Sequence, residues 1–511
     1  MRRWAAWIVL AFVVVTAGVL AAVGLRAALV RPDVVVGSKS FTESVILGEI
    51  AAERARRAGL TTEHKASIRG TRLVYEAVRS GAVDVYAEYT GTLAQEIFAD
   101  RDIESMDDLR AALAEASLAM TEPIGFNNTY AIGVMPETAR RLGLRTTSDL
   151  RNHPDLTLGF TNEFIEREDG WGALRGAYGL PQADVKGLDH DLAYRALASG
   201  AIDAKELYTT DAKIAALGLV VLEDDRGHFP RYDAVWLYNA DLERRRPEMV
   251  AALHAMTGIL DEAAMVRLNA RTEIDGVEES VVARGFLAEL LDETRDPAGA
   301  PAESRTARLL ETTREHAVMV AASMLAAIAL AVPLGVLAAR SRLVGQIVLG
   351  ASGLLQTIPS IAILALLVSL LAMANQFPAI VALFLYSLLP IVRNTHAGLV
   401  QIPRAVRDSA QSLGLPRPWT LLDVELPLAL PSILAGIKTA IVINVGTATL
   451  GGFVAAGGYG EPIFAGIRRD DAGLILEGLV PAALMAIVLT LLLDALEFVL
   501  VPRGLRATRA G

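Results

Sequence analysis

Long apolar runs without charge bracket a segment that has none of them, and this division constrains the chain more than any single motif. No charged residue occurs from Ala317 to Ala338, and Met1-Arg2-Arg3 is followed by mostly apolar residues from Ala5 to Leu25. Each stretch is long enough to cross a hydrocarbon core of roughly 30 Å. Asp33 to Arg314, between them, reads as water-soluble. Further spans are expected at Val344 to Met373, Pro378 to Leu399, Leu428 to Ala456 and Gly478 to Val501, making six crossings with the N-terminal one. That first segment, residues 1–30, is longer than an ordinary signal-peptide core and lacks a clean small-x-small cleavage site, so it reads as an uncleaved signal anchor. The chain is therefore multi-domain: anchor, soluble domain over 33–300, linker over 301–316, five-helix membrane domain over 317–502 and a basic tail over 503–511.

Arginines flank the spans on alternating sides. Arg2 and Arg3, Arg340 and Arg342, Arg393, Arg404, Arg407 and Arg417, then Arg503, Arg506 and Arg509 all fall on one side, which the positive-inside rule makes cytoplasmic. The soluble domain is then exported. Counting Lys and Arg against Asp and Glu from Ala317 to Gly511 gives 12 against 9, so the rest of the chain carries more than the whole net charge of -10. An acidic soluble part argues against nucleic acid as a partner. The absence of cysteine removes disulfides, thiolate metal sites and a lipid-modified cysteine anchor. Asp494 and Glu497, near the inner end of the last span, are expected to pair with Arg503 or Arg506.

The soluble domain contains an internal repeat. Tyr75-Glu-Ala-Val-Arg-Ser-Gly-Ala-Val-Asp84 recurs as Tyr194-Arg-Ala-Leu-Ala-Ser-Gly-Ala-Ile-Asp203, and Tyr89-Thr90 and Tyr208-Thr209 follow at the same offset. Upstream of each copy lies an apolar strand ending in glycine, Val34-Val-Val-Gly37 and Leu156-Thr-Leu-Gly159, then a short polar stretch, Phe41-Thr-Glu43 and Thr161-Asn-Glu163. Strand, loop, helix and strand, twice over, predict two similar α/β lobes with a ligand between them. Ser-Gly-Ala-x-Asp alone is a helix cap and turn. A tyrosine repeated at a fixed distance beyond it needs another reason.

Aromatic faces hold a trimethylammonium group, which offers no hydrogen-bond donor, at about 0.5 to 2 kcal/mol each. Tyr89 and Tyr208 sit at repeat-equivalent positions. Tyr130, in Phe126-Asn-Asn-Thr-Tyr130, and Tyr232, in Phe229-Pro-Arg-Tyr-Asp233, sit where the chain is expected to cross between lobes, near 127 and 230. These stretches, with Gly37-Ser-Lys-Ser-Phe-Thr-Glu43, Glu88-Tyr-Thr-Gly-Thr92 and Leu222-Glu-Asp-Asp225, resemble the osmoprotectant-binding proteins for glycine betaine, choline and carnitine. The resemblance implies a two-lobed periplasmic-binding-protein fold of type II and a cage of Tyr89, Tyr130, Tyr208 and Tyr232 around the quaternary ammonium. It also implies that Ser38, Lys39, Thr42, Ser44 and Thr71 hold the other end of the ligand. Ser44 departs from the glutamine frequent after Phe-Thr-Glu in that family.

Asp408-Ser-Ala410, Gly414 and Val424-Glu-Leu426-Pro427, within residues 404–427, resemble the coupling loop of ABC importer permeases in spacing throughout. A short amphipathic helix ended by Gly414 can dock on a nucleotide-binding subunit as a rigid lever. Gln356-Thr-Ile-Pro-Ser360 and the Gly451 to Gly460 stretch also resemble this permease family. The chain has no phosphate-binding Gly-x-x-x-x-Gly-Lys-Ser/Thr motif, so a partner ATPase is expected to bind ATP, with no cofactor or metal on this chain. Five permease spans imply a second copy, hence a homodimer in the bilayer. The expected function is a fused binding and permease subunit importing glycine betaine, choline or a related osmoprotectant, with ergothioneine or carnitine as alternatives. A membrane-tethered sensor would leave the coupling loop unexplained. An exported enzyme would need His64, His153, His190 or His228 paired with a nucleophile or metal set, whereas their spacing reads as solvated side chains.

Overall fold

A computed structural model describes residues 32–290, 305–371, 375–454, 456–469 and 471–501. The expected N-terminal anchor and the tail at 503–511 lie outside them. The chain divides into two compact units, one built around Pro32–Glu303 and one around Ser304–Ile463 with the last helix.

The first unit holds two five-stranded sheets. Strands β1 (Val34–Lys39), β2 (Thr62–Ile68), β3 (Val85–Tyr89) and β4 (Leu118–Met120) begin the first sheet. Strands β5 (Tyr130–Val134), β6 (Leu158–Thr161), β7 (Val185–Leu188), β8 (Ala204–Tyr208) and β9 (Val220–Leu222) form the second. Strand β10 (Ala234–Asn239) returns to the first. The orders are β2-β1-β3-β10-β4 and β7-β6-β8-β5-β9. Each lobe therefore has a parallel trio, closed by an antiparallel strand (β10 or β5) that lies between the trio and a fifth strand. The chain crosses between sheets at 121–129 and again at 223–233.

The repeated residues explain why the two lobes fold alike. Helices α1 (Thr42–Arg57) and α2 (Thr71–Arg79) serve the first lobe; α3 (Asn162–Glu166) and α4 (His190–Ala198) serve the second. Gly81 and Gly200 end α2 and α4 in the left-handed region, at φ +76° and +74°, where only glycine is free of strain. Asp84 and Asp203 then accept hydrogen bonds from the Val35 amide at 2.7 Å and the Thr157 amide at 3.0 Å, fixing the register of the central strands. Gly37 and Gly159 leave room for the side chain two residues after each capping glycine. A Cβ on them would lie 2.9 Å from Val83 Cγ1 and 2.4 Å from Ile202 Cδ1. The Thr90 and Thr209 amides finally donate to the crossing segments, at Asp233 O and Thr129 O, both at 3.0 Å. Helix α5 (Glu262–Glu273) packs against α1 after the last return.

The second unit is helical. Its members are α6 (Arg305–Arg340), α7 (Arg342–Thr357), α8 (Ser360–Leu371), α9 (Gln376–Val400), α10 (Arg404–Ser412), α11 (Leu426–Ala448) and α12 (Ala472–Leu500). Among the described residues four helices are long and apolar enough to cross a membrane, or five if a bent pair counts as one span. That pair falls on the span expected at Val344 to Met373. The helix breaks at Ile358-Pro359 and α8 leaves α7 at 90°. Proline lacks the amide that would continue the ladder, and it disfavours helical geometry in the residue before it. Within the linker expected over 301–316, residues from Arg305 onward form the first turns of α6.

Candidate functional site

Strand ends and crossing segments bring the tyrosines together. Tyr89 and Tyr208 terminate β3 and β8, and Tyr130 opens β5 directly opposite Tyr208 in the antiparallel register. The Tyr130 and Tyr208 ring centroids lie 5.3 Å apart. Tyr232, on the second crossing segment, meets Tyr130 edge-on at 5.4 Å. Gly91 makes room for it, since a Cβ there would lie 2.6 Å from Tyr232 Cδ1. Phe41, just before α1, completes the group at 5.2 Å from Tyr208 and 6.2 Å from Tyr89. These rings line a cavity of about 30 Å³. Burial pushes the hydroxyl pKa of each of the four tyrosines above its ordinary value, so the phenols stay neutral.

Ion pairs surround the rings. Lys39 Nζ lies 2.6 Å from Glu88 Oε1 and 5.5 Å from the Tyr89 ring centroid. Arg167 makes a two-pronged pair with Asp169, at 2.7 and 2.5 Å, while its guanidinium sits 5.6 Å from the Tyr130 ring centroid. Asp169 also accepts the Tyr232 hydroxyl at 2.6 Å. Burial pushes the Asp169 carboxyl up, but the Arg167 and Tyr232 hydrogen bonds and the guanidinium charge outweigh it and hold the carboxyl below its usual range. At the mouth, the Thr71 hydroxyl of the first lobe bonds Glu163 of the second. Deeper in, Glu43 is fully enclosed, and burial pushes its carboxyl up to about 7 against the pull of its hydrogen bonds.

Six of the nine residues expected to bind ligand line this cavity: the four tyrosines, Lys39 and Thr71. Ser38, Thr42 and Ser44 are buried behind it. The Ser44 hydroxyl accepts the Lys39 amide at 2.8 Å, and the Ser38 hydroxyl bonds His64 Nε2 at 3.0 Å, so both hold the loop rather than face the cavity. Phe41, Thr92, Asn128, Glu163 and Arg167 line the cavity without having been expected there. Phe41 and Glu163 both lie in the short stretches after the repeated strands, Glu163 at the place of Glu43, which is the signal that could have found them. Two histidines are not solvated. His64 is 4% exposed at its side chain and bonds Glu49 at 2.7 Å; His190 stacks on Tyr208 at 4.6 Å and bonds Asp211 at 3.0 Å.

In the helical unit, α10 ends in a Schellman motif. Gly414 lies at φ +87°, the Leu415 amide donates to Ala410 O at 3.2 Å and the Gly414 amide to Gln411 O at 3.0 Å. Asp408, Ser409 and Gly414 are exposed, Ala410 is buried, and Val424, Leu426 and Pro427 are half-buried. Between Val424 and Leu426, the buried Glu425 takes Arg340 from the end of α6 and, at 2.9 Å, Arg407 from α10. The loop is thus tied to two helices through a residue that the spacing alone passes over. Asp494 and Glu497 both pair with Lys438 of α11, Asp494 at 2.5 Å, and the partners expected for them, Arg503 and Arg506, lie outside the described residues.

Comparison with known proteins agrees with this division. Residues 32–289 match the family described as the substrate binding domain of the ABC-type glycine betaine transport system. Residues 331–505 match the binding-protein-dependent transport system inner membrane component. The osmoprotectant import permease protein OsmW of Salmonella typhimurium is 42% identical over 202 residues, 39% of this chain and 94% of its own length. The ergothioneine transport permease and binding protein EgtU of Helicobacter pylori is 31% identical over 272 residues, 52% of this chain and 49% of its own. A crystal structure of a glycine betaine/carnitine/choline ABC transporter protein aligns with 50% of this chain and 98% of its own at 28% identity and a TM-score of 0.43. The chain therefore belongs to the binding-protein-dependent ABC importers, with a substrate-binding domain of the glycine betaine transport type and a membrane permease component joined in one polypeptide.

Proposed function

We propose that this subunit captures a quaternary-ammonium osmoprotectant, of the glycine betaine or choline type, outside the inner membrane and passes it through its own permease domain. The observation that carries the reading is the convergence of Tyr89, Tyr130, Tyr208, Tyr232 and Phe41 on one cavity flanked by two cations, Lys39 and Arg167. Aromatic faces suit a group with a spread positive charge and no donor. A guanidinium suits a carboxylate, which it can grip with two parallel hydrogen bonds. Rings and guanidinium together favour a zwitterion over choline, which has no carboxylate. Binding draws the lobes together over the solute, and the closed form then engages the permease. Residues 404–427 dock on a separate ATPase, and two permease copies enclose the pathway. No cofactor or metal is required on this chain.

Ergothioneine is the second reading, because it is also a betaine and the EgtU relative likewise joins permease and binding protein. Purified full-length chain in nanodiscs, titrated calorimetrically with glycine betaine, choline, carnitine and ergothioneine, tests both readings. At least one should bind, and the zwitterions should bind more tightly than choline. Binding of none would overturn the proposal, and choline binding tightest would overturn the role given to Arg167. Replacing both Tyr89 and Tyr208 by alanine should weaken binding well beyond tenfold, since two cation contacts of about 1 kcal/mol or more are lost.

A further inference from the structure

Glu43 is 2% exposed, and the capture chemistry gives it no contact with a solute. It stands in the first turn of α1, two residues after Phe41. Oε1 accepts the Tyr89 hydroxyl at 2.6 Å and Asn128 Nδ2 at 2.8 Å. Oε2 accepts the Thr210 hydroxyl at 2.5 Å and Asn269 Nδ2 at 3.3 Å. Once ionised, the carboxylate offers about four lone-pair sites, and these four donors fill them. A buried acceptor left short of its donors costs free energy, so the set acts together.

The origin of the donors is what separates this carboxylate from an ordinary helix anchor. An anchor for α1 needs partners only from its own lobe, and Asn269 of α5 is one. Tyr89 is a cage ring at the end of β3. Asn128 lies on the first crossing segment and lines the cavity. Thr210 belongs to the other lobe, two residues beyond the cage ring Tyr208, and its carbonyl accepts Asn269 Nδ2 at 3.0 Å. One side chain thus joins a ring, a crossing segment and the facing lobe.

We propose that Glu43 is a positioning residue that fixes the Tyr89 ring in the cage through its hydroxyl and couples that ring to lobe closure through Thr210. The inference rests on the reading that the cage holds a quaternary ammonium. Tyr89→Phe keeps the ring and cuts only its tether, whereas Glu43→Gln sets an amide donor against donors from the same surroundings. A double-mutant cycle on the full-length chain in nanodiscs, read with whichever of the four solutes the wild type binds most tightly, tests the coupling. Each single substitution should weaken binding about tenfold, and the double by little more than either, where independent effects would multiply to about a hundredfold. Thr210→Val, from the facing lobe, should speed dissociation about tenfold with association nearly unchanged, as expected of a contact made on closure. If Glu43→Gln does not fold, Thr210→Val replaces it in the cycle. Wild-type affinity in Tyr89→Phe, or a double that is the product of its singles, overturns the inference while leaving the cage intact. Failure of the wild type to bind any of the four overturns the cage reading and this inference with it.

Discussion

Raising the pH from 5 to 8 should destabilise the binding unit through Glu43. Burial raises the carboxyl from an ordinary 4.5 to about 7 in the folded protein, against hydrogen bonds from Thr210, Tyr89, Asn269 and Asn128. In the unfolded chain it titrates at the ordinary value. Between the two values the folded protein holds a proton that the unfolded chain has released, so stability falls as pH rises. The contribution is present in full below about 4.5 and is lost as the pH climbs through about 7. At about 1.4 kcal/mol per pH unit, the loss amounts to about 3 kcal/mol, a large share of an ordinary folding free energy. Hydrogen exchange by mass spectrometry on the full-length chain, corrected for intrinsic rates and read in β1 and β3, follows this unit separately from the membrane helices. Glu43→Gln should lose about 3 kcal/mol less protection than wild type between pH 5 and 8. Glu273, raised to about 8 by its own burial and by the Asp211 charge, contributes in the same direction to both proteins and cancels in the comparison. Equal slopes for wild type and variant would refute the reasoning.

Two other substitutions probe the site and its scaffold. Asp169→Asn should leave the buried Arg167 without its counter-ion, lowering stability by about 3 kcal/mol and raising the preference for glycine betaine over choline, measured by chemical unfolding and by calorimetry. Gly159→Ala should force the Ile202 side chain aside at an overpacking cost of about 1 to 3 kcal/mol, read as lost exchange protection in β6.

The duplicated scaffold was legible because its repeated residues act over short stretches of chain. Capping glycines, aspartates that pin a neighbouring strand and small residues under Val83 and Ile202 each leave a mark at fixed spacing, and the tyrosines follow because the strand that carries them is fixed. Side-chain direction was less legible. Ser44 follows the loop that supplies Lys39, yet its hydroxyl turns back on the Lys39 amide. Arg167 follows α3 with no motif around it, and only the fold brings it to within 5.6 Å of Tyr130. The break at Pro359 was masked for a similar reason. Apolar length from Val344 to Met373 suffices for one crossing, and length does not report a 90° turn. Lys438 lies 56 residues from Asp494, so nothing local signals their pairing.

The two lobes match in scaffold but not in how they support their rings. Tyr89 is held at its far end, by its hydroxyl on Glu43. Tyr208 is held by its backbone amide on Asp211 at 3.0 Å and by its ring face against His190, with interplanar angle 21°. Asp211 also takes the Tyr194 hydroxyl at 2.5 Å, so the second support is itself anchored in α4. Loss of a hydroxyl should therefore matter at one ring and not at its repeat-equivalent. Tyr208→Phe leaves the backbone bond and the stacking in place and should bind as wild type, while Tyr89→Phe should not. Duplication set the number of rings and their spacing, because backbone hydrogen bonds fix both. The rigidity of each ring depends on contacts that differ between the copies, to Glu43 and Thr210 for one and to His190 and Asp211 for the other. A cage of two equivalent rings can in this way respond to lobe closure at only one of them.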